Sequence, residues 1–354
     1  MVNVWRLFHR LVVLAFGLCC ITAAHAYPYS ALYAFGDSLS DVGNDLIISS
    51  NTVPAPLIYT DGTNTGRFTN GLNYLDGLSS YLGLGPLVPS LAGGTDYAYG
   101  GARTTYAGPG LPPQASFLNQ IAAFDATHPT PGTADPNALY VLWIGANDMA
   151  DAIGAAAFAA VQGQDPIPVL VTAIINSLTS IAGAIINLAG LGATHFLVPN
   201  LPDLSLTPRI GDFNDAGLNF LAQVASVAFN QNLANILDLF PTLDIRDLDV
   251  FGLLNDIVAD PASNGFANVK DSCYKGDVNG SDLGSGTSIC AIPNQYVFWD
   301  FEHPTATTHA LLAQRAFVAV VPEPSAIWVL VFAIGGLATF ARRRQLRAPA
   351  QVPS

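Results

Sequence analysis

The sequence predicts an α/β fold with a mainly parallel sheet covered by helices on both faces. Short apolar runs rich in β-branched and aromatic residues recur along the chain, and longer segments of helical length and composition lie between them. Strands that alternate with helices become parallel neighbours, because a parallel crossover needs a connection long enough to hold a helix. The central segment 27–321 is long enough to form one well-buried domain.

The predicted strands are short and apolar. The first three are 31–35, 138–144 and 195–198, and a weaker fourth is 243–245. The predicted helices occupy 71–82, 116–126, 166–191 and 215–240, and a further helix follows residue 305. Segment 166–191 is apolar enough to suggest a membrane span, but Asn176, Ser177 and Asn187 interrupt it. We therefore expect a buried or half-buried helix there.

The first 26 residues predict a secretory signal peptide. Arg6 and Arg10 precede an apolar run, 11–24, and Ala24-His25-Ala26 places small residues at positions −3 and −1 of a cleavage site. A charged start, a short apolar core and a small-residue exit are the features of a segment that signal peptidase removes. An uncleaved anchor is the alternative, but the run is short for a span of about 20 residues.

Segment 321–345 carries a second targeting pattern. Val321-Pro322-Glu323-Pro324-Ser325 precedes an apolar stretch, 326–340, which the arginines 342–344 follow. Such a helix should stop in the membrane with the arginines and the short tail, 346–354, on the cytoplasmic side. The three parts together resemble the PEP-CTERM sorting signal of Gram-negative bacteria. The resemblance implies processing by an exosortase-like enzyme and delivery to the cell envelope or extracellular matrix, and a plain tail anchor is the alternative.

The central segment is strongly acidic. Seven basic and 25 acidic residues give 27–321 a formal charge of −18, compared with −13 for the whole chain. That charge would repel nucleic acid and anionic membrane surfaces, so neither is an expected partner. Two cysteines remain in the segment, Cys273 and Cys290. In an oxidising compartment we expect them to form a disulfide with each other.

A serine follows the first predicted strand directly, in Gly36-Asp37-Ser38-Leu39. Ligands bind beyond the carboxyl ends of such strands. Near the end of the chain, Asp300 and His303 lie three residues apart on one predicted loop. A serine nucleophile needs a general base, and a histidine base needs an acceptor on its second nitrogen. Ser38, His303 and Asp300 are therefore the candidate catalytic triad, although each also fits an ordinary loop position.

Two more segments offer donors for the oxygen that becomes negative during acyl transfer. Gly145-Ala146-Asn147-Asp148 follows the second predicted strand, so the Asn147 amide can point into the same pocket. The pair Gly100-Gly101 lets a backbone N–H approach a ligand closely. Taken singly, these segments also fit a structural asparagine and a turn.

The four segments, in this order, resemble the blocks of the GDSL, or SGNH, family of esterases and lipases. Segments 66–71, 198–203 and 298–300 carry weaker similarity to the same family. The resemblance implies a flavodoxin-like three-layer α/β/α fold over 27–320 and hydrolysis of carboxylic esters without a metal or other cofactor. It also implies an oxyanion hole formed by Ser38, Gly101 and Asn147, and it leaves open whether Gly100 supplies the N–H instead of Gly101.

Two other functions remain open at this point. An acyltransferase would form the same acyl-enzyme and pass the acyl group to an alcohol instead of water. A non-catalytic protein of the extracellular matrix would use the fold as a scaffold, although a scaffold has no need of all five polar and glycine positions. The ester itself is not specified, and lipid, short-chain acyl and acetylated polysaccharide substrates all fit.

Overall fold

The computed structural model describes residues 29–280 and 287–321. The predicted signal peptide and all but the first residue of the predicted sorting segment lie outside these ranges. The strands are β1 Leu32–Gly36, β2 Leu139–Trp143, β3 His195–Pro199, β4 Asp244–Leu248, β5 Asn268–Ser272, β6 Tyr274–Lys275, β7 Ser288–Ile289 and β8 Tyr296–Phe298. The α-helices are α1 Asn44–Ile48, α2 Tyr74–Tyr81, α3 Phe117–Thr127, α4 Ala146–Val161, α5 Ile167–Leu191, α6 Pro208–Gly211, α7 Ala216–Leu237, α8 Val250–Ala259 and α9 Ala306–Val320.

A parallel sheet in the order β1-β2-β3-β4 forms the centre of the molecule. Segment 95–99 runs parallel to the free side of β1, where the Ala34 N–H donates to the Thr95 carbonyl oxygen at 3.1 Å and the Tyr97 N–H donates to the Ala34 carbonyl oxygen at 2.8 Å. With this segment as the second strand of the chain, the spatial order is 2-1-3-4-5, which is that of flavodoxin-like folds. The predicted fold class is confirmed.

Helices cover both faces of the sheet, and β2 shows why the sequence requires this. All five residues of β2 are apolar and buried. Tyr140 and Leu142 pack into one hydrophobic cluster with α3, α4, α5 and α7. Leu139, Val141 and Trp143 pack into a second cluster with α2, α8 and α9. A strand that is buried on both faces has a continuous apolar sequence instead of alternating apolar and polar residues.

Helix α5 is long and apolar enough, by length and composition, to cross a membrane, with a mean hydropathy of 2.1. In the structure 44% of its most apolar stretch is buried, and it packs against α4 and α7. The buried row includes Ile174, Leu178 and Ile181. The expectation of a half-buried helix is therefore confirmed.

A small third cluster surrounds the disulfide. Cys273 and Cys290 are bonded, as predicted, with their Cα atoms 4.8 Å apart. Tyr59, Tyr274 and Trp299 pack around the bridge. Because Trp299 directly precedes Asp300, this cluster fixes the chain just before the candidate triad.

Candidate active site

Ser38 lies in a tight turn at the carboxyl end of β1. The turn passes so close to β2 that a Cβ atom on Gly36 would lie 2.3 Å from the Trp143 carbonyl oxygen, which excludes any other residue there. The Gln120 side chain accepts from the Gly36 N–H at 2.9 Å and donates to the Gly36 carbonyl oxygen at 2.8 Å. These contacts hold the turn rigidly, and Ser38 is left partly exposed at its tip.

Ser38, His303 and Asp300 form one hydrogen-bonded chain. The Ser38 Oγ lies 2.8 Å from the His303 Nε2, and the His303 Nδ1 lies 2.7 Å from the Asp300 Oδ2. Because a carboxylate can only accept, the Nδ1 carries the hydrogen and the Nε2 of a neutral ring accepts from the serine. The serine and the histidine are 265 residues apart in the chain, so the fold alone brings them together.

Asp300 is fully buried and accepts from several donors. The backbone N–H groups of Glu302 and His303 donate to its Oδ1 at 2.9 and 2.8 Å. The Tyr59 hydroxyl donates to its Oδ2 at 2.8 Å, on the same oxygen that accepts from His303. Burial raises the pKa of Asp300, but the charge of His303 and these N–H donors outweigh burial and hold that pKa below its usual value.

The side chain of His303 is only 5% exposed, so its protonation depends on its neighbours. Burial lowers the pKa of His303, but the charge and hydrogen bond of Asp300 outweigh burial and raise it to about 9. The Phe68 ring packs on the imidazole with a centroid distance of 5.2 Å. The Asp300 pair and the Phe68 ring together fix the orientation of the imidazole.

Segment 66–71, which has only weak family similarity in the sequence, holds the loop that carries His303. The Thr69 hydroxyl donates to the Pro304 carbonyl oxygen at 2.8 Å. The Asn70 Oδ1 accepts from the Ala306 N–H at 2.8 Å, in the first turn of α9. With Phe68 against the imidazole, three consecutive residues of this segment contact the triad loop.

The predicted oxyanion donors lie around the same turn. Gly101 has a φ of +68°, in the left-handed region that favours glycine. The Gly100 N–H donates to the Asp41 carboxylate at 3.2 Å. Among the described residues, the N–H groups of Ser38 and Gly101 have no hydrogen-bond partner. The Gly100 N–H therefore stabilises the fold, whereas the Gly101 N–H is available to a ligand.

Asn147 lies in the first turn of α4 and is partly exposed. Its Nδ2 donates one hydrogen to the Ala102 carbonyl oxygen at 3.1 Å, which leaves the second hydrogen of that amide for a ligand. The next residue, Asp148, accepts from the Thr104 N–H and hydroxyl, the latter at 2.7 Å. These contacts tie the start of α4 to the segment that carries Gly101, so the two donors are positioned as one unit.

A cleft opens above these groups. Ser38, Asn147 and His303 line it together with apolar residues of α4 and of the segment after β3, including Ile153, Pro202 and Leu204. Arg209 and Glu302 form an ion pair at its rim. The Arg209 guanidinium also lies over the Phe301 ring, 5.5 Å from the centroid. The mixed lining suits an uncharged substrate with one polar group at the reacting end.

The structure brings all five residues of the predicted triad and oxyanion hole to one edge of the sheet. Sequence reasoning missed Tyr59 and the bracing role of Phe68, Thr69 and Asn70. A recognisable signal existed only for segment 66–71, through its weak family similarity. Nothing around Tyr59 distinguishes it from the other tyrosines of the chain.

The fold and this edge of the sheet are those of an α/β protein with a Ser–His–Asp hydrogen-bonded chain. The pattern of the GDSL-like lipase/acylhydrolase family matches residues 32–316. The chain therefore belongs to that family, and it is a hydrolase that acts on esters.

Curated relatives share moderate identity with the chain. A GDSL esterase/lipase of Arabidopsis thaliana is 28% identical over 81% of this chain and 81% of its own length. Lipase 1 of Photorhabdus luminescens is 28% identical over 95% of this chain, which spans 57% of that protein. Acetylajmalan esterase 2 of Rauvolfia serpentina is 26% identical over 84% of this chain and 91% of its own length. Among solved structures, the lipase Lip_vut3 from a goat rumen metagenome matches with a TM-score of 0.45 and 11% identity, covering 83% of this chain and 99% of that one.

Proposed function

We propose that the protein is an exported serine esterase that works through an acyl-enzyme on Ser38. The observation that carries the proposal is the hydrogen-bonded chain from the Ser38 Oγ to the His303 Nε2, at 2.8 Å, and from the His303 Nδ1 to Asp300, at 2.7 Å. These distances lie within the range expected of a nucleophile, its base and the group that orients the base.

In the first half of the reaction, His303 takes the Ser38 proton as the hydroxyl oxygen attacks the ester carbonyl carbon. Asp300 stabilises the imidazolium that forms. The carbonyl oxygen becomes negative and accepts from the N–H groups of Ser38 and Gly101 and from the Asn147 amide. Collapse of the intermediate breaks the bond to the alcohol, and His303 returns the proton to the departing alkoxide.

In the second half, a water molecule replaces the alcohol in the open cleft. His303 removes a proton from this water, which attacks the acyl carbon. The acid is released, and the proton returns to Ser38. The engagement of the Gly100 N–H by Asp41 supports Gly101 as the oxyanion donor, because a donated hydrogen is not available to the substrate.

The test compares the wild type with Ser38→Ala. We expect the variant to lose hydrolysis of a chromogenic acetate ester and to melt close to the temperature of the wild type, since Ser38 is partly exposed and belongs to none of the hydrophobic clusters. An organophosphonate should label Ser38 in the wild type and nothing in the variant. Turnover that survives in Ser38→Ala, or labelling of a different serine, would remove the basis of the proposal.

Export rests on the terminal segments. A cleaved signal peptide, 1–26, would deliver the domain across the inner membrane, and exosortase-like processing within 321–345 would release it to the envelope or matrix. The acidic domain would then work on lipid esters, short-chain esters or acetylated polysaccharide outside the cell. Mass spectrometry of the mature protein from its host should find both segments removed. A mature chain that keeps Arg342–Arg344 in the inner membrane would instead identify a tail-anchored esterase.

A further inference from the structure

A second, apolar cavity lies beside the catalytic cleft. Its walls come from α8, β8 and α9, on the face of the sheet opposite to α5, and include Val250, Leu253, Leu254, Ile257, Val297 and Leu312. Each of these six side chains is at least nine-tenths buried. The mechanism proposed above assigns this cavity no role, and a well-packed core rarely leaves such a space unfilled.

The cavity and the cleft are direct neighbours. Leu39, Pro202, Thr207 and Glu302 line both. Leu39 directly follows the proposed nucleophile, and Glu302 directly precedes the proposed base. The cavity lining is buried except for Pro202, Glu302 and Pro304, which are partly exposed. Two of these partly exposed residues, Pro202 and Glu302, also line the catalytic cleft, and the remaining walls belong mainly to the hydrophobic core.

The polar groups of the wall are already satisfied. The Thr207 hydroxyl donates to the Leu204 carbonyl oxygen at 2.7 Å, and the Thr308 hydroxyl donates to the Val297 carbonyl oxygen at 2.8 Å. Glu302 is held at the entrance by its ion pair with Arg209. A ligand inside would thus meet an apolar surface, and a polar or charged group would lose its water without finding a partner.

We infer that this cavity binds the aliphatic acyl chain of the ester. The inference rests on the proposed function, in which the acyl group stays on Ser38 while the alcohol leaves and water enters. Buried apolar walls suit an aliphatic group that stays, and the cleft lined by Ser38, Asn147 and His303 suits the groups that exchange with solvent. The cavity volume is about 50 Å³, room for about three or four water-sized groups such as methylenes. The carbonyl carbon and its neighbour remain at Ser38, so the best acyl chain has about five or six carbons.

The test is a series of p-nitrophenyl esters from acetyl to dodecanoyl. For the wild type we expect kcat/KM to rise by about fourfold for each methylene that enters the cavity, the factor that corresponds to about 0.8 kcal/mol per buried methylene. The rise should end near hexanoyl, because longer chains exceed the cavity. A second series, acetate esters of alcohols of increasing length, should show no comparable trend.

Three variants test whether the dependence on acyl chain length arises in this cavity. Leu253→Trp fills the cavity and should abolish most of the rise in kcat/KM from acetyl to hexanoyl. Leu254→Ala enlarges the cavity and should move the optimum to longer chains, an outcome that a merely destabilised protein cannot produce. Ala259→Trp places the same bulk on the exposed end of the same helix, α8, and should leave the acyl series unchanged.

Other outcomes separate this inference from the proposed function. If Ser38 is required but the two cavity variants change all acyl chains by one factor, the acyl site is wrong and the esterase stands. If Leu253→Trp alters the alcohol series and not the acyl series, the cavity holds the leaving group and the inference is overturned. If Ser38→Ala hydrolyses acetyl esters like the wild type, the proposed function fails first.

Discussion

Replacement of Tyr59 by phenylalanine tests whether this tyrosine positions the triad or only packs. Its hydroxyl donates at 2.8 Å to the Asp300 oxygen that also accepts from His303. A hydrogen bond to a charged group contributes about 1.5–3 kcal/mol, and for a domain of this size 1 kcal/mol corresponds to roughly 2–4 °C in melting temperature. A loss near the middle of that range should lower Tm by about 5–9 °C.

The effect of Tyr59→Phe on the pKa of His303 is a more specific test than its effect on melting temperature. Without the tyrosine donor, the Asp300 carboxylate stabilises the His303 cation more strongly, so the pKa of His303 should rise above its already elevated value. Less of the histidine is then neutral at neutral pH, and kcat/KM falls there by about tenfold for each unit by which the midpoint moves. At pH values above the new midpoint, kcat/KM of the variant should approach that of the wild type, provided that the Ser38–His303–Asp300 hydrogen bonds are kept.

Full pH profiles of kcat/KM measure this effect. The matched control is Tyr274→Phe, which removes a hydroxyl from the same aromatic cluster but from a bond to the Asp277 carbonyl oxygen at 2.9 Å. The control should melt at a lower temperature, yet titrate like the wild type. Coincident profiles for Tyr59→Phe and the wild type would refute the positioning role and leave Tyr59 as a packing residue.

Four more results should follow from the structure. Asn147→Ala should lower kcat by roughly 10²–10³, as is typical for the loss of one oxyanion donor, and a change confined to KM would contradict that role. In the wild type, kcat/KM should increase as pH rises toward about 9, where His303 loses its proton, and a profile that is flat from neutral pH upward would disprove this assignment. The raised pKa of His303 means that folding favours its charged form. The stability that the His303–Asp300 pair contributes is therefore complete below pH 6.5, the pKa of an unperturbed histidine, and is lost as pH rises through about 9. Over this range the melting temperature should fall while activity increases. Reduction of the Cys273–Cys290 bridge should lower both Tm and activity, since Trp299 connects that cluster to Asp300, and full activity with unchanged melting after reduction would show that the bridge supports neither.

The sequence predicts those elements of the fold that depend on neighbouring residues in the chain. The ends of the first three predicted strands lie within two residues of the ends of β1, β2 and β3, because a strand covered on both faces needs a continuous apolar run. Strand β4 begins as predicted, within one residue, but extends three residues further. Helices α4 and α8 are among the elements that the sequence did not predict, together with α1, α6 and the short strands β5 to β8. Helix α4 is dominated by alanine with an internal Gly154, and it gives little contrast between its two faces. Helix α8 is short, and it follows the weakest of the predicted strands.

Spacing alone did not define the triad. Asp125 and His128 have the same separation as Asp300 and His303, but the His128 ring stacks on Phe124 and Asp125 accepts from Asn187. The positions of Tyr59 and of the two glycine N–H groups depend on contacts between distant segments. Tyr59 lies 241 residues from Asp300 in the chain, so no local pattern could reveal the bond between them.

The separation of 265 residues between Ser38 and His303 also has a consequence for biosynthesis. A ribosome adds roughly 5–20 residues per second, so the serine emerges some tens of seconds before the histidine. During that interval the hydroxyl has no base, and helix α9, which holds the loop after His303, does not yet exist. In the proposed mechanism, the nascent chain would therefore lack esterase activity until nearly all of its domain has been synthesised.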